Sequence, residues 1–215
     1  MKNIQELVDI VVDPMITFIR KQCVETTSTN DQALIQAFLR IWGTLLKNFE
    51  DSSYTENLDK RQAVSTVDNM FLFSIIWSIC ITCNSEFRRP IDNYLKAICD
   101  GSIEGLEKFQ GNKKIIPSQF DRGLIFDYCY DPAANAWKHW MADVDKDTID
   151  DFGANAKVQE IIVTTVDTVR YSYVQKFCIL NDIPTLFVGP TGTGKSVYIQ
   201  NVLQNQLNKG DEVKF

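Results

Sequence analysis

The chain has 215 residues, 45% hydrophobic and 23% charged, which suits one large or two small globular domains and excludes a disordered, collagenous or fibrous protein. Its net charge of −6 argues against a general nucleic-acid binder, which would need clustered Lys and Arg to neutralise phosphates. The opening MKNIQELVDIVVDP carries acidic residues inside its apolar stretch and no small-residue cleavage site, so a secretory signal is not expected.

From the N-terminus the chain reads as successive helices. Ile4 to Cys23 is apolar at mixed three and four spacing, with Pro14 expected to break or restart the helix. Asp31 is expected to cap a second helix carrying Ala33, Leu34, Ala37, Phe38, Ile41, Leu45 and Leu46 along one side. Asp59 to Thr82 reads as a long helix whose centre, FLFSIIWSIC, is apolar nearly all round, as in a helix enclosed by others. The apolar run Met70 to Cys83 contains Ser74, Ser78 and Thr82 and falls short of the roughly 20 residues a membrane span needs, so a soluble, intracellular chain is expected. An amphipathic helix around Phe87 to Ile98 closes near Asp100 and Gly101. These elements predict a helical unit over residues 1–109.

Over residues 110–156 the composition shifts to a linker punctuated by Gly111, Pro117, Gly123, Pro132 and Gly153. It holds strand-like runs such as GLIFDYCYD and the aromatic residues Trp137 and Trp140. Residues 157–215 read as the opening of an α/β domain. VQEIIV is a candidate strand, and TTVDTVRYSYVQKFCIL a helix with Val166, Val169, Tyr173 and Phe177 on one side. TLFV is a second strand, and a helix follows from about Lys195 to Leu207, closed by Gly210.

The six cysteines follow no framework. Cys80 and Cys83 form a C-x-x-C, which suits a redox pair or half a zinc site, but a zinc site needs further ligands and His139 is the single histidine. They read as reduced core residues.

The strongest chemical signal is GPTGTGKS, Gly189 to Ser196, which satisfies G-x-x-x-x-G-K-[ST] between an apolar run and a helix. Glycines let the backbone wrap a phosphate chain so that successive N–H groups converge on it, and the helix N-terminus adds partial positive charge. Gly189, Pro190, Thr191, Gly192, Thr193, Gly194, Lys195 and Ser196 are therefore candidate ATP/ADP contacts. Lys195 would reach the β- and γ-phosphates, and the Ser196 hydroxyl would ligate Mg²⁺. Hydrolysis also needs an acidic residue at the end of a neighbouring strand. That strand would follow the loop, and only 19 residues follow Ser196. Leu124 to Asp127 looks like such a strand but precedes the loop and reads better as part of a surface hairpin. The chain by itself is expected to bind nucleotide without turning it over.

Several stretches together resemble dynein heavy chains. VTTVDTVRYSY followed by PTLFVGPTGTGKSVYIQ resembles the start of the third AAA+ module, and DNMFLFSIIWSICITC with SEFRRPIDNYL resembles the helical lid that closes the second. FDYCYD and KHWMADVD resemble the insert before the third module of axonemal inner-arm heavy chains. The resemblance covers essentially the whole chain. It implies a mixed fold, an α-helical lid subdomain followed by the start of an α/β P-loop (AAA+) domain. It also implies a regulatory nucleotide site in the ring of a microtubule motor for minus-end-directed, ciliary-type movement. Adenine would lie against residues 162–165, among them Val163, Thr164 and Thr165; the family usually has Pro where this chain has Thr164. Implied partners are the neighbouring AAA+ modules of the same heavy chain and, through the full complex, dynein intermediate and light chains and microtubules, with no nucleic acid or membrane. The implied location is the cytoskeleton of a cilium or flagellum.

Arg88 and Arg89 read as nucleotide sensors or as a solvated helix start, and Arg170 as a contact to a neighbouring module or as a surface ion pair. Two other functions stay open on the residues alone. One is a helical interaction module that ATP merely stabilises. The other is a small stand-alone kinase or GTPase, which would need its acidic strand and base-recognition motif beyond Phe215.

Overall fold

The computed structural model describes residues 2–51, 54, 56, 58–106, 109, 113–144 and 164–207. They belong to two compact units, Met1–Lys138 and His139–Phe215.

In the first unit, helix α1 (Lys2–Leu7) runs through a widened π segment, Val8–Val12, into α2 (Asp13–Gln22) without leaving helical geometry. Pro14 lies in the first turn of α2. It has no N–H to donate to the carbonyl four residues back, so the ladder loosens just ahead of it and restarts. Helix α3 (Asp31–Leu46) is capped one residue earlier than expected: the Asn30 side chain accepts from the Ala33 N–H at 2.7 Å. Its buried stripe is Leu34, Phe38, Ile41, Trp42 and Leu45; Trp42 joins it and Ala33 is exposed.

Helix α4 (Lys60–Ser78) is the centre of this unit. Asp59 and Gln62 form a reciprocal capping box at its start, and Met70 through Ser78 are buried on every side. The hydroxyls of Ser74 and Ser78 donate to the carbonyls of Met70 and Ser74 at 2.7 and 2.6 Å, so the helix satisfies its own polar groups inside the core. Lys60–Thr82 is long and apolar enough to cross a membrane, yet 72% of its apolar window is covered by the rest of the chain. Helix α3 packs along α4, where Phe71 meets the edges of Phe38 and Trp42 at 5.4 and 5.3 Å. Helix α5 (Arg88–Asp100) ends at Gly101 in the left-handed conformation, and Tyr94 stacks on Phe18 of α2 at 4.0 Å.

The segment after α5 packs on these helices. Ile125–Asp127 is a tight 3-10 turn and not a strand: Asp127 accepts from the Leu124 N–H at 2.9 Å, so its carboxylate closes a turn. The expected hairpin exists as β1 (Tyr128–Asp131) and β2 (Ala136–His139), but β1 is buried rather than superficial. Trp137 explains why. Its ring meets Phe120 at 4.8 Å and Tyr130 at 5.5 Å, and its indole N–H donates to Asn69 of α4 at 2.9 Å.

A second tether is polar. Asp92 of α5, 3% exposed, accepts from the Ile125 N–H at 2.8 Å and from Lys96 Nζ at 2.9 Å. The same ammonium donates to the carbonyls of Phe120 and Gly123 at 2.7 and 2.8 Å.

Asp68 of α4 is 6% exposed and faces Lys113 Nζ at 2.5 Å, while its Oδ1 is buried without a hydrogen-bond partner among the described residues. Burial raises the carboxyl above its ordinary value, and the Lys113 ammonium opposes the rise only partly. A raised acid favours the protonated folded state. Its contribution is therefore full below the unfolded pKa, near about pH 4, and lost as pH climbs through the folded value. The urea midpoint of the wild-type chain relative to Asp68→Asn should fall as pH rises from about 4 to 6. A flat difference would contradict this.

In the second unit, α6 (Val166–Leu180) buries Thr168, Arg170, Ser172, Gln175 and Cys178. The apolar side carrying Val166, Val169, Tyr173 and Phe177 is not its buried face: Tyr173 is 39% exposed, and Val166, Val169 and Phe177 are only half-covered. Among the described residues, Trp140 covers part of that side, its ring 5.3 Å from Tyr173. The expected strand TLFV, residues 185–188, forms no regular element and has no ladder partner among the described residues. Leu186 is 79% exposed and Val188 44%. A strand is defined by its neighbour, and local apolarity does not supply one. Helix α7 (Lys195–Asn201) continues into a second π segment, Val202–Gln206. VQEIIV and Gly210 lie outside the described residues.

Candidate functional site

Gly189 to Ser196 fold as one turn that delivers the chain into α7. Gly192 and Gly194 take φ of +83° and +77°, where an L side chain would be strained, and Gly194 also lies against Tyr198: a Cβ there would stand 3.4 Å from the ring. Gly194 is the N-cap of α7, and among the described residues no side chain caps the helix. The first amides of α7 thus keep their donors for something other than protein side chains. Tyr198 N–H closes the first turn onto the Gly194 carbonyl at 3.0 Å.

Lys195, the first residue of α7, is half-buried and bends back over the loop. Its ammonium donates to the carbonyls of Gly189 and Pro190 at 2.9 and 2.5 Å and to Thr193 Oγ1 at 3.2 Å. The Thr193 hydroxyl donates to Pro190 at 2.9 Å, which ties the loop across its base. Ser196 and Thr191 are exposed. One cation, an uncapped helix start and an open hydroxyl are thereby gathered within eight residues. This donor set fits the phosphates of a nucleotide, with Ser196 as the oxygen that would ligate Mg²⁺. Among the described residues no group of three His, Cys, Asp or Glu is placed to hold a metal by itself, so a bound Mg²⁺ would depend on phosphate oxygens.

The adenine-side residues are placed less fully. Ile162 and Val163 lie outside the described residues. Thr164 is half-buried, and Thr165 is the N-cap of α6: its hydroxyl accepts from the Thr168 N–H at 3.1 Å. Its backbone is engaged as well: the Thr165 N–H donates to Thr168 Oγ1 at 3.4 Å and its carbonyl accepts from the Val169 N–H at 3.0 Å, so Thr165 serves the start of α6. Arg170 pairs with Asp167 one turn away and lies 5.3 Å from the Tyr171 ring centroid; it is ion-paired as one reading had it, but buried at 4% exposure. Arg88 is stacked over Phe126 at 5.9 Å, which anchors the turn before β1. A cavity of about 420 Å³ opens between α6 and α7. Gln175, Cys178, Ile183, Phe187, Ile199 and Leu203 line it, and no residue of the phosphate loop does. The phosphate chemistry therefore belongs to the loop and not to the cavity.

The family described as Dynein heavy chain AAA lid domain matches residues 4–142, and that described as P-loop containing dynein motor region matches residues 151–214. Dynein axonemal heavy chain 12 of Rattus norvegicus is 33% identical over 99% of this chain and 7% of its own length. Dynein axonemal heavy chain 12 of Homo sapiens is 36% identical over 67% of this chain and 5% of its own length. Dynein axonemal heavy chain 3 of Homo sapiens is 30% identical over 90% of this chain and 5% of its own length. The chain spans less than a tenth of the length of each of these relatives.

Proposed function

The chain belongs to the dynein heavy-chain family, and from that premise we propose that it contributes a regulatory ATP/ADP site to the AAA+ ring of a microtubule motor. Residues 1–109 then act as the lid of one module, 110–156 as an insert, and 157–215 as the beginning of the next P-loop domain. The relatives named above are axonemal heavy chains, which supports placing this motor in the cytoskeleton of a cilium or flagellum. Minus-end-directed movement is part of the proposal and rests on the family resemblance alone. Its partners would be the neighbouring modules of the same heavy chain and, through the whole complex, intermediate and light chains and microtubules.

The observation that carries the nucleotide reading is the Lys195 ammonium bent back over the loop that leads into α7, a helix with no side-chain cap among the described residues. Phosphate oxygens would replace the carbonyls of Gly189 and Pro190 around that ammonium, and the first amides of α7 would share the negative charge. Ser196 would add its hydroxyl to a Mg²⁺ already held by the phosphates. Val163, Thr164 and Thr165 would border the adenine.

Calorimetric titration of the purified chain with Mg-ATP and with Mg-ADP tests this. Saturable binding weaker than micromolar is expected, with phosphate release no faster than that of Lys195→Ala. No binding of either nucleotide at millimolar concentration would refute the phosphate site. Lys195-dependent turnover would refute the dependence on the rest of a ring.

A further inference from the structure

Lys195 spends its whole donor capacity on its own loop. An ammonium carries three N–H groups, and three loop oxygens take them: the carbonyls of Gly189 and Pro190 at 2.9 and 2.5 Å and Thr193 Oγ1 at 3.2 Å. Two of these acceptors are main chain, which any residue at those positions would supply. The third is a side chain, and it belongs to Thr193.

Thr193 also fixes its partners. Its hydroxyl donates to the Pro190 carbonyl at 2.9 Å, so the proton is committed there and the oxygen's lone pairs are left for the ammonium. Lys195, Thr193 and Pro190 thereby close a ring of three hydrogen bonds. Gly192 and Gly194, at φ of +83° and +77°, stand on either side of Thr193 and double the chain back so that this ring can form. Both heads fold over Gly189: a Cβ there would meet Thr193 Oγ1 at 3.9 Å and Lys195 Nζ at 4.0 Å. Thr193 is exposed, so its hydroxyl serves this ring rather than the core.

We propose that Thr193 is a latch on the nucleotide site: its hydroxyl holds the Lys195 ammonium in a conformation that competes with phosphate, and so sets the affinity of the loop. This role presupposes that Gly189 to Ser196 hold ATP or ADP, as proposed above.

The sign of the effect follows from which conformation owns the bond. A phosphate oxygen carries more charge than a hydroxyl or a carbonyl, so it wins the ammonium, but only after bonds already made are given up. A bond made in the latched conformation and lost on binding counts against affinity by its own strength. Deleting the Thr193 hydroxyl should thus tighten binding, by roughly threefold to tenfold for one net hydrogen bond. A hydroxyl that touched the ligand would give the reverse.

Calorimetric titration of the intact chain with Mg-ATP, and stopped-flow mixing with the N-methylanthraniloyl derivative, test this. Thr193→Val keeps the shape and removes the hydroxyl, Thr193→Ala removes the methyl as well, and Thr193→Ser returns the hydroxyl. The Kd should fall roughly threefold to tenfold in the first two, through faster association, and climb back in Thr193→Ser. If one hydroxyl-free variant does not fold, the other decides. Weaker or unchanged binding without the hydroxyl would overturn the latch while leaving the phosphate site intact. Equal tightening in Thr193→Ser would overturn it too, since the hydroxyl would then not be the cause. No saturable binding by wild type or any variant at millimolar concentration would refute the phosphate site, and the latch with it.

Discussion

Replacing Lys195 by alanine is expected to weaken Mg-ATP binding about a hundredfold, the loss of a charge-assisted contact of about 2–3 kcal/mol. The ammonium already sits among three oxygens of its own loop, so binding is an exchange of the Gly189 and Pro190 carbonyls for phosphate oxygens of higher charge. Alanine removes the cation and leaves the carbonyls of half-covered Gly189 and exposed Pro190 to water, so the fold should hardly notice. Calorimetric titration read together with thermal unfolding separates the two effects. A variant that binds as well as wild type would show that the helix amides alone hold the phosphates. A variant whose Tm collapses would show that Lys195 is a structural pin.

Asp92→Ala should have the opposite profile, costing about 3 kcal/mol or more in stability while sparing the phosphate loop. The carboxylate is 3% exposed and answers two donors, the Ile125 amide and the Lys96 ammonium. Removing it orphans the amide and leaves Lys96 with only the Phe120 and Gly123 carbonyls for its charge. Lys96→Met should also destabilise, by stranding a buried carboxylate. The double variant should cost less than the sum, because neither charge is then left without its partner. Urea unfolding of the four proteins measures the cycle. Additive losses would mean that the pair is not a unit.

The helical unit is largely legible in its sequence because its signals are local. FLFSIIWSIC is apolar on all sides, Asp59 and Gln62 stand at the spacing of a capping box, and Gly101 follows Asp100 where the helix stops. The phosphate loop is legible for the same reason, since its eight residues are consecutive. What periodicity misjudges is set by distant partners. Helix α6 buries Thr168, Ser172, Gln175 and Cys178 instead of the Val166, Val169, Tyr173 and Phe177 side, since a weakly amphipathic helix takes its inner face from whatever packs against it. TLFV has strand composition but no neighbour among the described residues. The polar tether of Lys96 could not be read at all. Its acceptors are main-chain carbonyls 24 and 27 positions along, and a carbonyl has no residue type.

The widened turn between α1 and α2 makes the first helix intolerant of a change in length. A π segment holds one residue more than an α-helical turn would, so it rotates everything after it by roughly 100° relative to a regular ladder. Leu7 and Ile10 before or within it, and Met15, Ile16 and Ile19 after it, all reach the same interior across that step. Deleting a residue from Val8–Val12 would give a more ideal helix and a worse protein, because one half or the other would then present its charged side inward. The irregularity is a phase correction: the chain keeps it because both ends must point the same way.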